Sequence, residues 1–312
     1  TQPPGINVLS RSHYVSQGGT GLVIYRLSEE CLQSGVNVGD RFFPGHNGYF
    51  DDRKIFISFF ALGVHQEPGI RMVLSATDPA GNLSEADFHY SIRRKKFKKD
   101  VINITDGFLQ RKVPEISTGS TTLPEGSILD QFLWANRNLR REDYRKVTEI
   151  ADRSRAVMHW KGAFLRLPKS ARRAGFGESR QYRYKGRTVD RQIHRGIDLA
   201  SVPRSQVPAA NSGQVVYGGL LGIYGNTVVI DHGFGLLSTY SHLSRIDVKV
   251  NQMVSKGDII GRTGSSGLAG GDHLHFGVFV HSTFVNPLEW WDATWLKNNI
   301  MAKIDAVQSR WH

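Results

Sequence analysis

The chain has 312 residues with a formal net charge of +12, and 39% of its residues are hydrophobic while 22% are charged. These proportions are typical of a soluble globular protein, and the sequence has no run of 18 apolar residues that could span a bilayer. The length exceeds that of a usual single core and predicts two or more domains. The positive charge favours anionic partners, and a solubility role explains it equally well.

The chain begins with Thr1, and no charged-then-apolar leader follows. We therefore expect a mature or trimmed form, from which a signal peptide or a membrane-anchoring segment has been removed. Cys31 is the single cysteine, which excludes an intrachain disulfide and leaves the cellular compartment open.

Residues 1–118 are predicted to form a β-sandwich. Short β-branched and aromatic runs alternate there with breakers rich in glycine and proline, as in antiparallel sandwiches; the runs are 21–25, 54–60, 70–76 and 86–92. The turn at 76–82 resembles one that follows a late strand in bacterial immunoglobulin-like domains. The resemblance implies an immunoglobulin-like (Ig-like) fold for this part of the chain.

Residues 119–160 are predicted to be a helical connector. Residues 124–127 have the composition of a helix start, and apolar residues recur at helical spacing in 128–139 and again in 142–157. Basic runs occur at 93–99 and 137–146. No zinc-finger, helix-turn-helix or ribonucleoprotein pattern accompanies these runs, so we expect no nucleic-acid partner.

The strongest functional signal lies in the predicted third domain, residues 161–292. His273 and His275 stand two apart in a run typical of a strand, so both imidazoles can project from one face. His194 and Asp198, four residues apart, add an imidazole and a carboxylate. Two nitrogens and one oxygen are the ligand set of a catalytic zinc that keeps one open position. The tryptophan-rich end, residues 293–312, is predicted to pack back as a helical tail.

These motifs resemble those of the lysostaphin/LytM-type zinc endopeptidases, which cut peptide bonds in bacterial cell-wall peptidoglycan. The resemblance extends from about residue 162 to residue 291. It rests on His194-Arg-Gly-Ile-Asp198, Tyr240-Ser-His242-Leu-Ser244, the glycine-rich stretch 256–265 and His273-Leu-His275-Phe276. The likeness implies an antiparallel-β peptidase domain and a mainly β chain.

The resemblance also implies a role for each motif residue. One Zn²⁺ per chain would be bound by His194, Asp198 and His275. His242 and His273 would lie beside the metal, one accepting a proton from water and the other stabilising the oxyanion or protonating the leaving amine. The sequence leaves open which histidine does which, and it has no H-E-x-x-H glutamate base.

Tyrosines are further candidates for oxyanion or substrate contacts. Tyr240 precedes His242 by two residues and is predicted to share its strand face, where it either orients His242 or only packs. Tyr184, and with it Tyr182, lies in the segment before His194. The glycine-rich stretch 261–271 lacks the G-K-[ST] of a phosphate loop and is predicted to be a turn before a strand.

The remaining histidines are predicted to have no metal role. His232 resembles a structural turn histidine. The others fit no metal spacing; they are His13, His46, His65, His89, His159, His281 and His312.

The sequence thus predicts a zinc-dependent endopeptidase that hydrolyses peptide cross-links of peptidoglycan in the bacterial envelope, in the periplasm by association with Gram-negative proteins. D-Ala–diaminopimelate is the default cross-link, and the scissile bond stays open. The basic N-terminal region is predicted to cover the cleft or to hold it against the anionic wall. One alternative is a catalytically silent LytM-like module that activates or scaffolds a separate cell-wall amidase. Another, from the turn 254–261, is a carrier domain of the lipoyl or sugar-permease type.

Overall fold

The structure, a computed structural model, describes residues 2–117 and 122–311, and it is mainly β, as predicted. His312 lies outside the described residues. The strands of the N-terminal part are β1 (Ile6–Val8), β2 (His13–Ser16), β3 (Thr20–Leu27), β4 (Gln33–Val38), β5 (Arg41–Pro44), β6 (Ile55–Ala61), β7 (Met72–Thr77), β8 (Leu83–Ala86), β9 (Tyr90–Arg93) and β10 (Lys99–Ile104).

Two antiparallel sheets, ordered β1-β3-β6 and β5-β4-β7-β8, make up most of the N-terminal part. Ile24 of β3 and Val36 of β4 are fully buried in one shared core, so the region is β-rich and layered as expected. Its immunoglobulin-like character stays a prediction. The predicted strand 86–92 is wrong at its centre, because β8 ends at Ala86 and β9 pairs separately, in parallel, with β2.

The helices are α1 (Asp106–Ile116), α2 (Ile128–Trp134), α3 (Arg140–Ala151), α4 (Pro287–Trp291), α5 (Ala293–Leu296) and α6 (Ala302–Gln308). A π-helical turn, Ala135–Leu139, joins α2 to α3, and a second, Lys297–Met301, joins α5 to α6. None of the helices in the described part of the chain is long and apolar enough to cross a membrane.

The helical connector agrees with the prediction where its first helix begins and differs from it where its second helix ends. The start before residue 128 is confirmed, since Ser127 and Asp130 form a reciprocal capping box. The second helix ends at Ala151, so the predicted helical run to residue 157 is wrong over its last six residues. The helix α1 was not anticipated, although Thr105 caps it by accepting from the amide of Phe108.

The strands of the C-terminal part are β11 (Ala171–Ala174), β12 (Ser179–Tyr184), β13 (Arg187–Ile193), β14 (Ile197–Ala200), β15 (Gln206–Pro208), β16 (Gly213–Leu221), β17 (Gly225–Gly233), β18 (Leu236–Leu243), β19 (Arg245–Ile246), β20 (Met253–Val254), β21 (Ile259–Arg262), β22 (Leu274–Val280) and β23 (Thr283–Val285). The large sheet has the order β11-β14-β22-β18-β17-β16-β20, with β23 also paired to β22. Its pairs are antiparallel, as predicted, and β14, β22 and β18 stand side by side.

The N-terminal and C-terminal parts are joined by a strand pair and by returning helices. Strand β10 pairs in parallel with β12, from Lys99 opposite Ser179 to Ile104 opposite Tyr184. The C-terminal residues are helical, as predicted, and they pack onto β3, where the Lys303 ammonium donates to the carbonyl of Leu22. The domain boundaries at 118, 160 and 292 stay predictions. Strand β10 precedes the first of these boundaries, yet it pairs with β12 of the C-terminal part.

Candidate metal centre

Neighbouring strands bring the three predicted zinc ligands together. Asp198 on β14 lies directly opposite His275 on β22, and β14 begins three residues after His194. Directly opposed residues of an antiparallel pair project to the same face. The two half-motifs, about eighty residues apart in sequence, therefore meet through this register.

The ligand atoms of these residues converge on one point. The Nε2 of His194 lies 2.9 Å from the Oδ1 of Asp198 and 3.0 Å from the Nδ1 of His275, which in turn lies 2.8 Å from the same carboxylate oxygen. All three side chains are buried, and within the described residues this is the one cluster of histidine, cysteine and carboxylate atoms able to hold a metal ion.

Hydrogen bonds with neighbouring groups leave one ring nitrogen of His194 and one carboxylate oxygen of Asp198 free to bind a metal ion. The Nδ1–H of His194 donates to the carbonyl of Gly175 at 2.8 Å, which leaves its Nε2 unprotonated. The Arg180 guanidinium donates to the Oδ2 of Asp198 at 2.7 Å, so the other oxygen stays available. Burial raises the pKa of the Asp198 carboxyl, but the charges and hydrogen bonds of His194, His273 and His275 outweigh it and hold the pKa well below its usual range.

This arrangement fits a zinc ion. Donor atoms about 3.3 Å apart surround a tetrahedral zinc whose bonds are about 2.0 Å, and the observed triangle is close to that size. Two imidazole nitrogens and one carboxylate oxygen are also donors that zinc accepts. The residues expected to bind the metal therefore have the chemistry and the spacing to do so.

The two histidines expected beside the metal are also at the cluster. The ring of His242 lies 4.9 Å from that of His273 and 5.8 Å from that of His275. Each is anchored through Nδ1, His242 to the carbonyl of Ser266 and His273 to the carbonyl of Gly271, both at 2.8 Å. The Nε2 of His273 lies 3.6 Å from the Oδ1 of Asp198.

The electrostatic surroundings of these two histidines differ. Burial, together with the charges of His273 and His275, moves the pKa of His242 well below its ordinary value. Burial also lowers the pKa of His273, but the hydrogen bond and charge of Asp198 outweigh it and raise that pKa overall. The neutral form of His242 and the protonated form of His273 are favoured.

The expectation that Tyr240 and His242 share a strand face is wrong. The register of β17 against β18 shifts there, so two residues of β18, Ser241 and His242, lie opposite one residue of β17. His242 has a φ of 64°, in the left-handed region that few non-glycine residues adopt. This β-bulge reverses the alternation and brings the His242 imidazole to the side of His275.

The predicted tyrosines do not reach the cluster. The hydroxyl of Tyr240 accepts from the amide of Ala210 at 2.7 Å and from Ser238 at 2.9 Å, in the core of the sheet. The hydroxyl of Tyr184 donates to Asp106 at the start of α1. Tyr182 lines the pocket described next, but its ring packs on Phe132 with 6.0 Å between centroids.

Tyr224 is the tyrosine that sequence reasoning missed. It is buried on the one-turn helix Gly222–Tyr224, and its ring lies 5.5 Å from that of His275. It falls outside the two half-motifs, so its spacing carries no signal of a contact with His275.

A pocket of about 250 Å³ opens beside the cluster. The five motif residues form one wall. The opposite wall comes from earlier in the chain and includes Ile102 and Ile104 of β10, Phe108 of α1 and Phe132 of α2. The pocket is therefore shaped jointly by strands of the C-terminal part and by the segment from β10 to α3.

The other histidines among residues 2–117 and 122–311 are not part of the cluster. His232 is fully buried, its Nδ1–H donating to the carbonyl of Ser212 and its Nε2 bonded to Ser238, which fits the structural role expected of it. His46 and His281 stack with 5.7 Å between centroids, and His13 bonds Ser10 and a backbone carbonyl.

The comparisons with family models and with curated proteins agree with each other. The model of Peptidase family M23 matches residues 192–287. The DD-carboxypeptidase/endopeptidase Mpg of Neisseria meningitidis is 36% identical over 97 residues, which cover 31% of this chain and 22% of that protein. The peptidoglycan DD-endopeptidase ShyA of Vibrio cholerae is 38% identical over 96 residues, again 31% of this chain and 22% of the relative. The chain thus matches about a fifth of the length of these relatives.

A solved structure resembles nearly the whole chain. A candidate peptidase M23 from Pseudomonas aeruginosa superposes with a TM-score of 0.57 at 22% identity, covering 89% of this chain and 95% of that one. At this identity the likeness concerns the fold. A match over 89% of the chain extends well beyond the C-terminal strands.

Proposed function

We propose that the chain is a zinc-dependent endopeptidase that hydrolyses peptide cross-links of bacterial peptidoglycan, on the basis of the match between residues 192–287 and the model of Peptidase family M23. The observation that carries the proposal is the convergence of His194, Asp198 and His275 with His242 and His273 alongside. The names of the relatives support peptidoglycan as the substrate and the bacterial envelope as the place of action. D-Ala–diaminopimelate cross-links and the periplasm are the specific substrate and compartment that we propose.

The three proposed ligands, His194, Asp198 and His275 (the ligand triad), would hold one zinc ion. When bound, zinc supplies a Lewis acid that polarises a peptide carbonyl and lowers the pKa of water. The chain's own contribution begins with His194, whose Nδ1–H is fixed by the carbonyl of Gly175 so that Nε2 remains a ligand. Arg180 holds the second oxygen of Asp198 and so fixes the orientation of that carboxylate.

Proton transfer falls to the two flanking histidines. The Nδ1–H of His242 is tied to the carbonyl of Ser266, which leaves Nε2 as the nitrogen that accepts a proton from the attacking water. His273 is tied in the same way to the carbonyl of Gly271 and faces Asp198, whose carboxylate favours the imidazolium. We assign His273 the donor role, to the oxyanion or to the leaving amine.

The test is digestion of purified peptidoglycan by the zinc-loaded chain, with mass analysis of the released muropeptides. We expect products cut at the peptide cross-link. His194→Ala and Asp198→Ala should lose zinc and activity together, since two remaining ligands hold the ion poorly. Zinc content after dialysis measures the first effect and muropeptide release the second.

His89→Ala is the matched control, because His89 is exposed and its ring has no part in the cluster. If wild-type protein binds zinc and leaves peptidoglycan intact while accelerating a separate amidase, the chain is a silent activating module and the proposal is wrong. Stoichiometric zinc in both ligand variants would overturn the ligand assignment.

A further inference from the structure

The pocket beside the ligand triad contains more positive charge than the carboxylate of the triad can neutralise. Three guanidinium groups line it, those of Arg140, Arg180 and Arg195, whereas Asp198 is the one carboxylate among the lining residues of the described chain. Arg180 is paired with that carboxylate at 2.7 Å. Two guanidinium groups therefore remain whose charge the metal centre does not neutralise.

Arg140 enters the pocket from the first turn of α3. Its Nε donates to the carbonyl of Asn136 at 3.0 Å and one Nη donates to the side-chain oxygen of the same residue at 2.6 Å. These bonds orient the guanidinium, and no carboxylate of the described residues lies within 4.0 Å of it. The buried Asp143 carboxyl interacts with it only at longer range, so the guanidinium keeps hydrogen-bonding capacity for a carboxylate bound in the pocket.

Arg195 follows the ligand His194 directly and is oriented by an aromatic ring. Its guanidinium carbon lies 4.3 Å from the centre of the Tyr144 ring, a cation–π contact. No carboxylate lies within salt-bridge distance of this residue either, within the part of the chain that the structure describes. Both arginines are half-buried, and both line the same pocket.

The ring of Tyr224 lines the same pocket as Arg140 and Arg195. The same ring packs on His275, so this positive corner of the pocket adjoins the ligand triad. A group bound there would lie next to a bond held at the metal centre.

We propose that Arg140, Arg195 and Tyr224 form a subsite that binds a carboxylate of the peptide substrate. Guanidinium groups form charge-assisted, often bidentate hydrogen bonds with carboxylates, and a phenol adds a neutral donor. The role of the subsite in catalysis rests on the peptidase function proposed above. The carboxylate comes either from the C-terminus of the peptide or from an acidic side chain next to the scissile bond.

Binding of matched peptides to the metal-free protein tests the subsite, because no zinc is then present to bind the carboxylate instead. Three probes are compared by calorimetry: acetyl-D-alanyl-D-alanine, its C-terminal amide, and acetyl-D-glutamyl-D-alanine amide. We expect at least one carboxylate probe to bind about 10- to 100-fold more tightly than the neutral amide, the usual worth of hydrogen bonds to a charged group. The first probe reports a C-terminal carboxylate and the third a side-chain carboxylate.

Substitutions of single arginines show which of them produce the preference for a carboxylate probe. Arg140→Gln and Arg195→Gln should each reduce it by about tenfold or more, and Arg140→Lys should reduce it less because the charge is kept. Arg145→Gln is the control, since Arg145 lies exposed on the same helix. Equal binding of all three probes to the wild-type protein would overturn the proposal, as would an equal loss in the Arg145 variant.

The binding test of the subsite can succeed or fail independently of the digestion test of the proposed peptidase function. A carboxylate preference in a protein that does not digest peptidoglycan leaves the subsite standing and removes the peptidase. Digestion of peptidoglycan with no carboxylate preference does the reverse.

Discussion

At the scale of single residues, the position of His242 depends on a backbone conformation that costs energy. A non-glycine residue in the left-handed region is destabilising by about 1–3 kcal/mol and persists where the surrounding structure enforces it. Here the hydrogen bond from the ring to Ser266 and the pairing of β18 on both edges supply that support. The strain is located at one of the two residues to which we assign proton transfer.

Replacing the flanking histidines separates proton transfer from metal binding. His242→Ala and His273→Ala should keep zinc, because the three ligand atoms are untouched, yet lose about 10²–10⁴-fold in rate. Metal analysis and the rate of muropeptide release are measured on the same samples. Loss of zinc at neutral pH from either folded variant would place that histidine among the ligands.

The five motif residues of the site were predictable, and its surroundings were only partly so. Ligand spacing is local, so His194 with Asp198 and His273 with His275 are readable from the chain. The bulge at His242 is set by how β17 pairs with β18, and the pocket contacts of Arg140 and Tyr224 depend on how a connector helix docks. Neither the bulge nor the docking of the connector helix produces a periodic pattern in the sequence.

At the scale of elements, α1 is bound to the glycine-rich loop that follows β21. The buried Lys112 ammonium donates to the carbonyl of Ser265 and to Glu115, and Glu115 accepts from the amide of Gly267. The next carbonyl in this loop, that of Ser266, accepts the hydrogen bond from His242. A helix from the N-terminal half therefore supports a loop that orients a residue of the centre.

Removing that link should loosen the loop. Lys112→Met removes the ammonium that donates to the carbonyl of Ser265 and to Glu115, and we expect the free energy of unfolding to fall by about 1–3 kcal/mol. Amide exchange in residues 264–271 should accelerate, as measured by mass spectrometry.

Arg111→Met is the control for this link, because Arg111 is the adjacent, exposed residue of α1. Unchanged exchange in the loop of the Lys112 variant would show that α1 does not support it.

Elements of strong local pattern were predicted well, and elements defined by distant partners were not. The strands around β3, β6 and β18 and the helix start at Ser127 follow from composition and capping. The parallel pairing of β10 with β12 joins segments about eighty residues apart, and nothing local to either strand specifies it.

At the scale of the whole molecule, two buried ionisable groups lie where the C-terminal helices meet β3. Glu289 accepts from the amide of Thr20 at 2.9 Å, and burial raises its pKa from 4.5 to about 8. Lys303 donates to the carbonyl of Leu22 at 3.1 Å, and burial lowers its pKa from 10.5 to about 8. The fold thus favours the neutral form of each group.

The signs of these shifts predict how stability varies with pH. The contribution of Glu289 is complete below pH 4.5 and is lost as pH rises to about 8, whereas that of Lys303 is complete above 10.5 and is lost as pH falls to about 8. Glu289→Gln keeps an acceptor for Thr20 without the ionisation. Its melting temperature relative to wild type should therefore rise steadily between pH 5 and 8.

The matched control is Glu125→Gln, which removes an exposed carboxyl. A melting-temperature difference for Glu289→Gln that does not change between pH 5 and 8 would mean that the fold does not shift the ionisation of Glu289.

The contact of α6 with β3 has a consequence for the order of folding. The Lys303–Leu22 bond spans 281 residues of sequence. A ribosome releases the N-terminal end first, at about 5–20 residues per second, so β3 emerges many seconds before its covering helix exists. During that interval the apolar side of β3 is exposed to solvent or to a chaperone, and loop closure over so long a chain is slow. Synthesis rate and chaperone supply should therefore govern the yield of native protein more strongly than its final stability does.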